Sequence, residues 1–192
     1  MSEDTAERRP ALLCIECLGI EVYLHASWLQ PLFGLGLMAC LVMQRWSVAL
    51  WLSTSLAMGC LIAMHELGHA LAARWLGARR IRVVLVADLW ACTALLQGSR
   101  AESRLGYALY CAAGWLAQVL VGAICLALLP LQQQPGIADP VTAGVAFAML
   151  PMNVVVLLGS VLPWRGSDGA VLLRHLRGLP PQDPAWRHID IC

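Results

Sequence analysis

The chain has 192 residues, of which 59% are hydrophobic and only 13% charged, with a formal net charge of +1 and a mean hydropathy of +0.69. Those values lie far from an ordinary soluble domain, and a net charge so near zero makes no case for nucleic acid. Length fits one domain, and composition predicts an all-α polytopic membrane protein.

The first residues, MSEDTAERRP, are polar and acidic. No short apolar run with a small-residue cleavage site follows, so 1–18 reads as a flexible N-terminal arm rather than a signal peptide. Cys14 and Cys17, in CIEC, have the spacing of a ligand or redox pair but stand without a second pair. Cys40, Cys60, Cys111 and Cys125 fall in apolar stretches, where cysteine serves as a small packing residue. GIEVYLHASWL at 19–29 alternates, which predicts a strand or an interfacial lead-in with His25 at the membrane edge.

Four long uncharged stretches follow, 26–44, 46–64, 105–131 and 140–164. Each is long enough to cross about 30 Å of hydrocarbon at about 1.5 Å per residue, so about four transmembrane helices are expected. No regular polar stripe marks any of them as the helix of a soluble core. The second stretch continues through HELGHALAARWLGARR as far as Gly77, a C-cap with arginines at the negative end of the helix dipole. This places the spans at 26–44, 46–76, 105–131 and 140–163, within a domain covering 19–177. IRVVLVADLWACTALLQ at 81–97 is rich in β-branched residues and interrupted by Arg82 and Asp88. It predicts a short cytoplasmic-side hairpin or re-entrant segment. Asp139 and Pro140 form a cap and first-turn proline for the last span, and Pro151 predicts a kink within it. The proline-rich tail, 178–192, is expected to be poorly ordered.

All thirteen basic residues are arginines. They gather in 74–104 and after the last span, and 130–139 carries none, so the positive-inside rule puts both termini and the 77–104 loop in the cytoplasm. Nothing in the sequence fixes an oligomeric state.

Chemistry concentrates in AMHELGHALAAR, 63–74. His65 and His69 are four apart, so on a helix of 3.6 residues per turn they lie about 40° apart on one face and both rings meet one ion. Glu66 lies about 100° round from His65, too far for a third ligand but placed to take a proton from water, the H-E-x-x-H arrangement of zinc peptidases. A metal also explains ionisable residues in an apolar helix, where charge is otherwise costly. An open catalytic zinc site wants a third protein ligand. Asp168, in LPWRGSDGAVLL, follows the last span on the same side, with Gly166 and Gly169 allowing tight turns. An aspartate there is more often a cap or a solvated turn residue.

HELGHALAARWLGARR, AAGWLAQ and NVVVLLGSVLPWRGSDG, in that order and spacing, resemble the site-2 protease family of intramembrane zinc metalloproteases, in its compact bacterial type. The resemblance covers most of the chain. It implies one Zn2+ held by His65, His69 and Asp168, with Glu66 as general base and Gly114, Gln118 and Asn153 positioning the substrate. It also implies a bacterial inner (cell) membrane and, as partners, the lipid bilayer and a membrane protein with a single transmembrane segment. The 81–97 hairpin would hold that substrate as an added strand. The chain departs from the family pattern at Trp115 and Gln118, where proline and asparagine are usual, and at Ser160, where a second asparagine is common. The 81–97 stretch, with ADLWAC, also lacks a glycine pair. A second reading stays open beside the protease: an impaired pseudoprotease acting as a membrane binding or regulatory protein, its metal a structural tie.

Overall fold

Apolar runs as long as a bilayer is thick bury their backbone polar groups in helices, and such helices dominate the computed structural model. It describes residues 11–17, 19–78, 81–85, 92–95, 104–128, 139–163 and 167–179. Residues 1–10, Asp88 and its neighbours in the 81–97 segment, most of 130–139, Gly166 and the tail from 180 lie outside the described residues. The helices are α1 (Leu29–Val42), α2 (Val48–Trp75), α3 (Arg104–Leu128), α4 (Pro140–Phe147), α5 (Asn153–Val161) and α6 (Asp168–Leu176). The strands are β1 (Ala11–Cys17), β2 (Ile20–His25), β3 (Ile81–Leu85) and β4 (Cys92–Leu95).

Among the described residues, three helices are long and apolar enough to cross a membrane: Val48–Trp75, Leu105–Ala127 and Pro140–Val161. The chain is thus built as an integral membrane protein, but the fourth expected span is not realised at full length. The helix Ala26–Val42 has 17 residues and rises only about 25 Å, short of about 30 Å of hydrocarbon. It stops because the chain reverses at Gln44, whose φ of 50° is left-handed, while the amides of Met43 and Arg45 close back onto Ala39 and Cys40. Ser47 then caps α2 by accepting from the amide of Leu50. With 28 residues α2 rises about 42 Å, the thickness of a bilayer with its headgroups. Trp46 and Trp75 stand exposed near its two ends, where an amphipathic ring suits a membrane–water boundary. Gly77, at φ 94°, ends the helix with its amide donating to Arg74 O.

The bundle is centred on α2, which packs against α1, α3 and α4. Small residues make those contacts close, as they do wherever lipid removes the hydrophobic drive between helices. A Cβ on Gly68 would lie 2.5 Å from Ala113 O of α3, and one on Gly144 would lie 2.9 Å from Leu50 O of α2. In the last span the expected proline kink takes the form of a π-helical turn, Ala148–Met152, around Pro151. The wider turn accommodates the missing N–H and rotates the remainder of the span by roughly one residue, about 100°. Asn153 is the first residue beyond it.

Among the described residues a four-stranded sheet, in the order β1-β2-β3-β4, accompanies the helices. β1 and β2 form an antiparallel hairpin, as do β3 and β4, while β2 and β3 join them in parallel with Ile20 opposite Ile81 and Leu24 opposite Leu85. Residues 11–17, read from sequence as part of a flexible arm, are therefore a paired strand; Leu13 and Ile15 alternate with Cys14 and Glu16, a pattern masked by the acidic residues before it. The apolar face, with Ile20, Ile81, Val83 and Leu85, packs with Ala70, Ala73 and Leu76 of α2. On the other face Arg82 Nε donates to Glu21 Oε2 at 3.1 Å, Tyr23 OH donates to the same oxygen at 3.1 Å, and the guanidinium lies over the Tyr23 ring.

Candidate metal centre

A continuous α2 through the HELGH segment puts His65 and His69 one turn apart, and the bundle buries both, together with Glu66. His65 lies ten residues, or about 15 Å, from the Trp75 end of the helix. Their Nε2 atoms face each other at 3.0 Å. Asp168 Oδ2 lies 3.1 Å from His65 Nε2 and 3.3 Å from His69 Nε2. Among the described residues this is the group of three or more potential donors that could hold a metal ion.

The donor set fits such an ion. His69 Nδ1 lies 2.8 Å from the Tyr110 carbonyl oxygen, to which it can only donate, and the neutral ring then presents a bare Nε2 to the cluster. Metal-bound histidines are commonly oriented in this way by a carbonyl. Lone pairs gathered within 3.3 Å repel unless a proton or a metal cation lies among them. The three separations also approach the edge of about 3.3 Å expected for a tetrahedron with bonds of about 2.0–2.1 Å. Asp168, the acidic member of the group, brings a carboxylate oxygen as its third donor. His65 Nδ1 is buried without a hydrogen-bond partner among the described residues.

Asp168 reaches the histidines because α6 starts hard against the end of α5. Ser167 Oγ donates to Leu162 O at 2.5 Å and accepts from the amide of Ala170 at 3.1 Å, capping the helix whose first residue is Asp168. A Cβ on Gly169 would run into Val161 O. This glycine, expected to make a tight turn, instead serves close approach inside a helix.

Gly114, Gln118 and Asn153 fall on the helices next to the histidines. Gly114 lies directly over them: a Cβ there would meet His69 Nε2 at 2.5 Å and His65 Cε1 at 2.7 Å. Gln118 is one turn further along the same face of α3 and wholly buried, and neither Oε1 nor Nε2 has a partner among the described residues. Asn153 Nδ2 donates to the backbone oxygen of Gln118 at 3.0 Å, which ties the last span to α3 and leaves Asn153 Oδ1 with no partner among the described residues. Ser160 is buried and donates into its own helix, to Leu157 O at 2.9 Å. Tyr110 was not anticipated. Its contribution to His69 is a backbone carbonyl, which no residue type signals.

No protein-family model matches the sequence, and no curated protein matches it. Among solved structures, the chain is similar to the site-2 protease from Methanocaldococcus jannaschii. The TM-score is 0.61 at 18% identity, covering 86% of this chain and 71% of that one. At that identity the likeness is one of architecture, and it gives this chain the fold of a site-2 protease.

Proposed function

We propose that the chain is an intramembrane zinc metallopeptidase that hydrolyses a peptide bond in or near the transmembrane segment of a membrane protein. One observation carries the reading: His65 Nε2, His69 Nε2 and Asp168 Oδ2 converge within 3.3 Å in a membrane-type bundle, with Glu66 buried beside them. When bound, zinc supplies Lewis acidity that brings the pKa of water toward about 7 and polarises a carbonyl. His65, His69 and Asp168 would hold the ion. Glu66 accepts a proton from water at its carboxylate and returns it to the leaving amine. Burial of these side chains in α2 excludes bulk water, which strengthens each of these interactions.

Helical amides are bonded internally, so the substrate segment must fray before its carbonyl is reached. The Gln118 amide offers an opened backbone both a donor and an acceptor, and Asn153 Oδ1 offers a second acceptor. Gly114 keeps the space over the rings clear. A substrate strand would add to β4, since β3 is paired on both sides and, among the described residues, β4 is an edge of the sheet. The protein would work in a bacterial inner membrane with both termini in the cytoplasm. A pseudoprotease remains the second reading, favoured by the Asn153 and Ser160 donors being spent on backbone oxygens.

The test is metal content and cleavage of single-span membrane proteins co-reconstituted with the detergent-purified chain. Wild type should hold about one zinc, Asp168→Ala should lose it, and Glu66→Gln should keep it while losing at least about 100-fold in cleavage rate. Full cleavage by Glu66→Gln would refute the mechanism, and zinc without cleavage of any such substrate would favour the pseudoprotease.

A further inference from the structure

Asp168 and His175 begin and nearly end α6, seven residues apart, so two turns of helix put them on one face about 10 Å apart along its axis. Gly114 and Tyr107 of α3 are also seven apart and share one face. The two helices pack together, and each end of α6 is held. At one end Asp168 meets His65 and His69 beneath Gly114. At the other the His175 ring stacks on Tyr107, with centroids 4.3 Å apart and planes 24° apart. From Tyr107 the ring contacts continue to Tyr110 at 5.9 Å, to His69 at 4.9 Å and to His65 at 4.7 Å. A closed circuit of side chains therefore runs from the donor cluster, through α6, and back along α3.

A helix of nine residues is marginal alone, and its orientation must come from the surfaces it packs against. Ser167 and Gly169 fix where α6 starts, but a helix fixed only at its start is free to tilt, and Asp168 turns with it. A metal site tolerates departures of only about 0.2 Å in ligand distance. His175 Nε2 is buried with no hydrogen-bond partner among the described residues, and the ring's face makes the contact with Tyr107. From this arrangement we infer that His175, stacked on Tyr107, is a positioning residue that sets the tilt of α6 and thereby delivers the Asp168 carboxylate to His65 and His69. The inference rests on the metal reading of that cluster.

The experiment measures zinc affinity by competition with a chromophoric chelator, and the visible spectrum of the cobalt-loaded protein, on folded, detergent-purified chains. His175→Ala should bind zinc about 10–100-fold more weakly, the range found for residues behind a ligand. Its cobalt spectrum should move toward that of Asp168→Ala. His175→Phe and Tyr107→Phe, which keep the stack, should stay within about threefold of wild type in affinity, on the same scale. Should His175→Ala fail to fold, the two phenylalanine variants still decide, because loss of affinity in either would show that ring stacking is not the device. A lowered melting temperature in His175→Ala with unchanged zinc affinity and cobalt spectrum would reduce the contact to simple packing and overturn the proposal. Zinc uptake by neither wild type nor variants would instead overturn the metal reading itself.

Discussion

Gly114→Ala adds one methyl group at the point where α3 crosses the histidine pair. That carbon would sit 2.5 Å from His69 Nε2 and 2.7 Å from both His65 Cε1 and His69 Cε1, whereas ordinary contact begins at 3.4 Å. Rings or helices must then separate by about 0.9 Å, several times the roughly 0.2 Å that a metal site tolerates. Overpacking of this kind costs about 1–3 kcal/mol of stability. The effect on the site should be larger in proportion, because the methyl group presses on the nitrogen that faces the ion. Zinc affinity should fall by about 100-fold, the upper end of the contribution made by residues supporting a ligand, and cleavage should fall with it. The assay is chelator competition alongside thermal unfolding in detergent. Gly34→Ala is the control: its Cβ meets nothing within 4 Å, so affinity should be unchanged and the helix should gain about 0.4–1 kcal/mol. A Gly114→Ala protein that binds zinc as tightly as wild type would refute the assignment of these nitrogens as donors converging under α3.

Gln118→Leu removes a buried amide whose polar atoms have no partner among the described residues, so the unfolding temperature should hold or rise, reflecting about 1–3 kcal/mol of relieved desolvation. Cleavage should nevertheless drop while zinc content stays at the wild-type level, a separation that differential scanning fluorimetry and metal analysis resolve together. Ser167→Ala loses the cap of α6 and the bond to Leu162 O, which should cost about 1–3 kcal/mol and weaken zinc binding through Asp168. Ser167→Thr, which keeps the hydroxyl, should recover most of both in the same measurements.

The cluster of His65, His69 and Asp168 was legible in the sequence to the extent that helix periodicity is local. His65 and His69 had to share a face once α2 was a helix, and the length of the apolar run made it one. Asp168 is harder to read, since its approach depends on α6 abutting α5 through Ser167 and Gly169, a contact that periodicity does not encode. The role of Gly114 shows the same limit: a glycine in an apolar run looks neutral until the distance to the opposite helix is known. Strands β3 and β2 could be read from β-branched content and alternation, but their pairing joins segments some sixty residues apart. The shortness of α1 was hidden by composition, because the uncharged stretch runs on to Gln44 whereas the helix ends at Val42, where the chain begins to reverse through the left-handed φ of Gln44.

Parallel pairing of β2 with β3 also constrains the order of assembly. The partner of Leu24 is Leu85, and every residue of α1 and α2 lies between them. On a ribosome making about 5–20 residues per second, β2 therefore waits roughly 3–12 s before its neighbour exists. Backbone hydrogen bonds cannot bridge a bilayer, so the two strands meet only if α1 and α2 have gone into the membrane and returned their far ends to the same side. The sheet is consequently a late check on insertion: a nascent chain whose helical hairpin is threaded the wrong way keeps the β1–β2 hairpin but leaves β2 without β3.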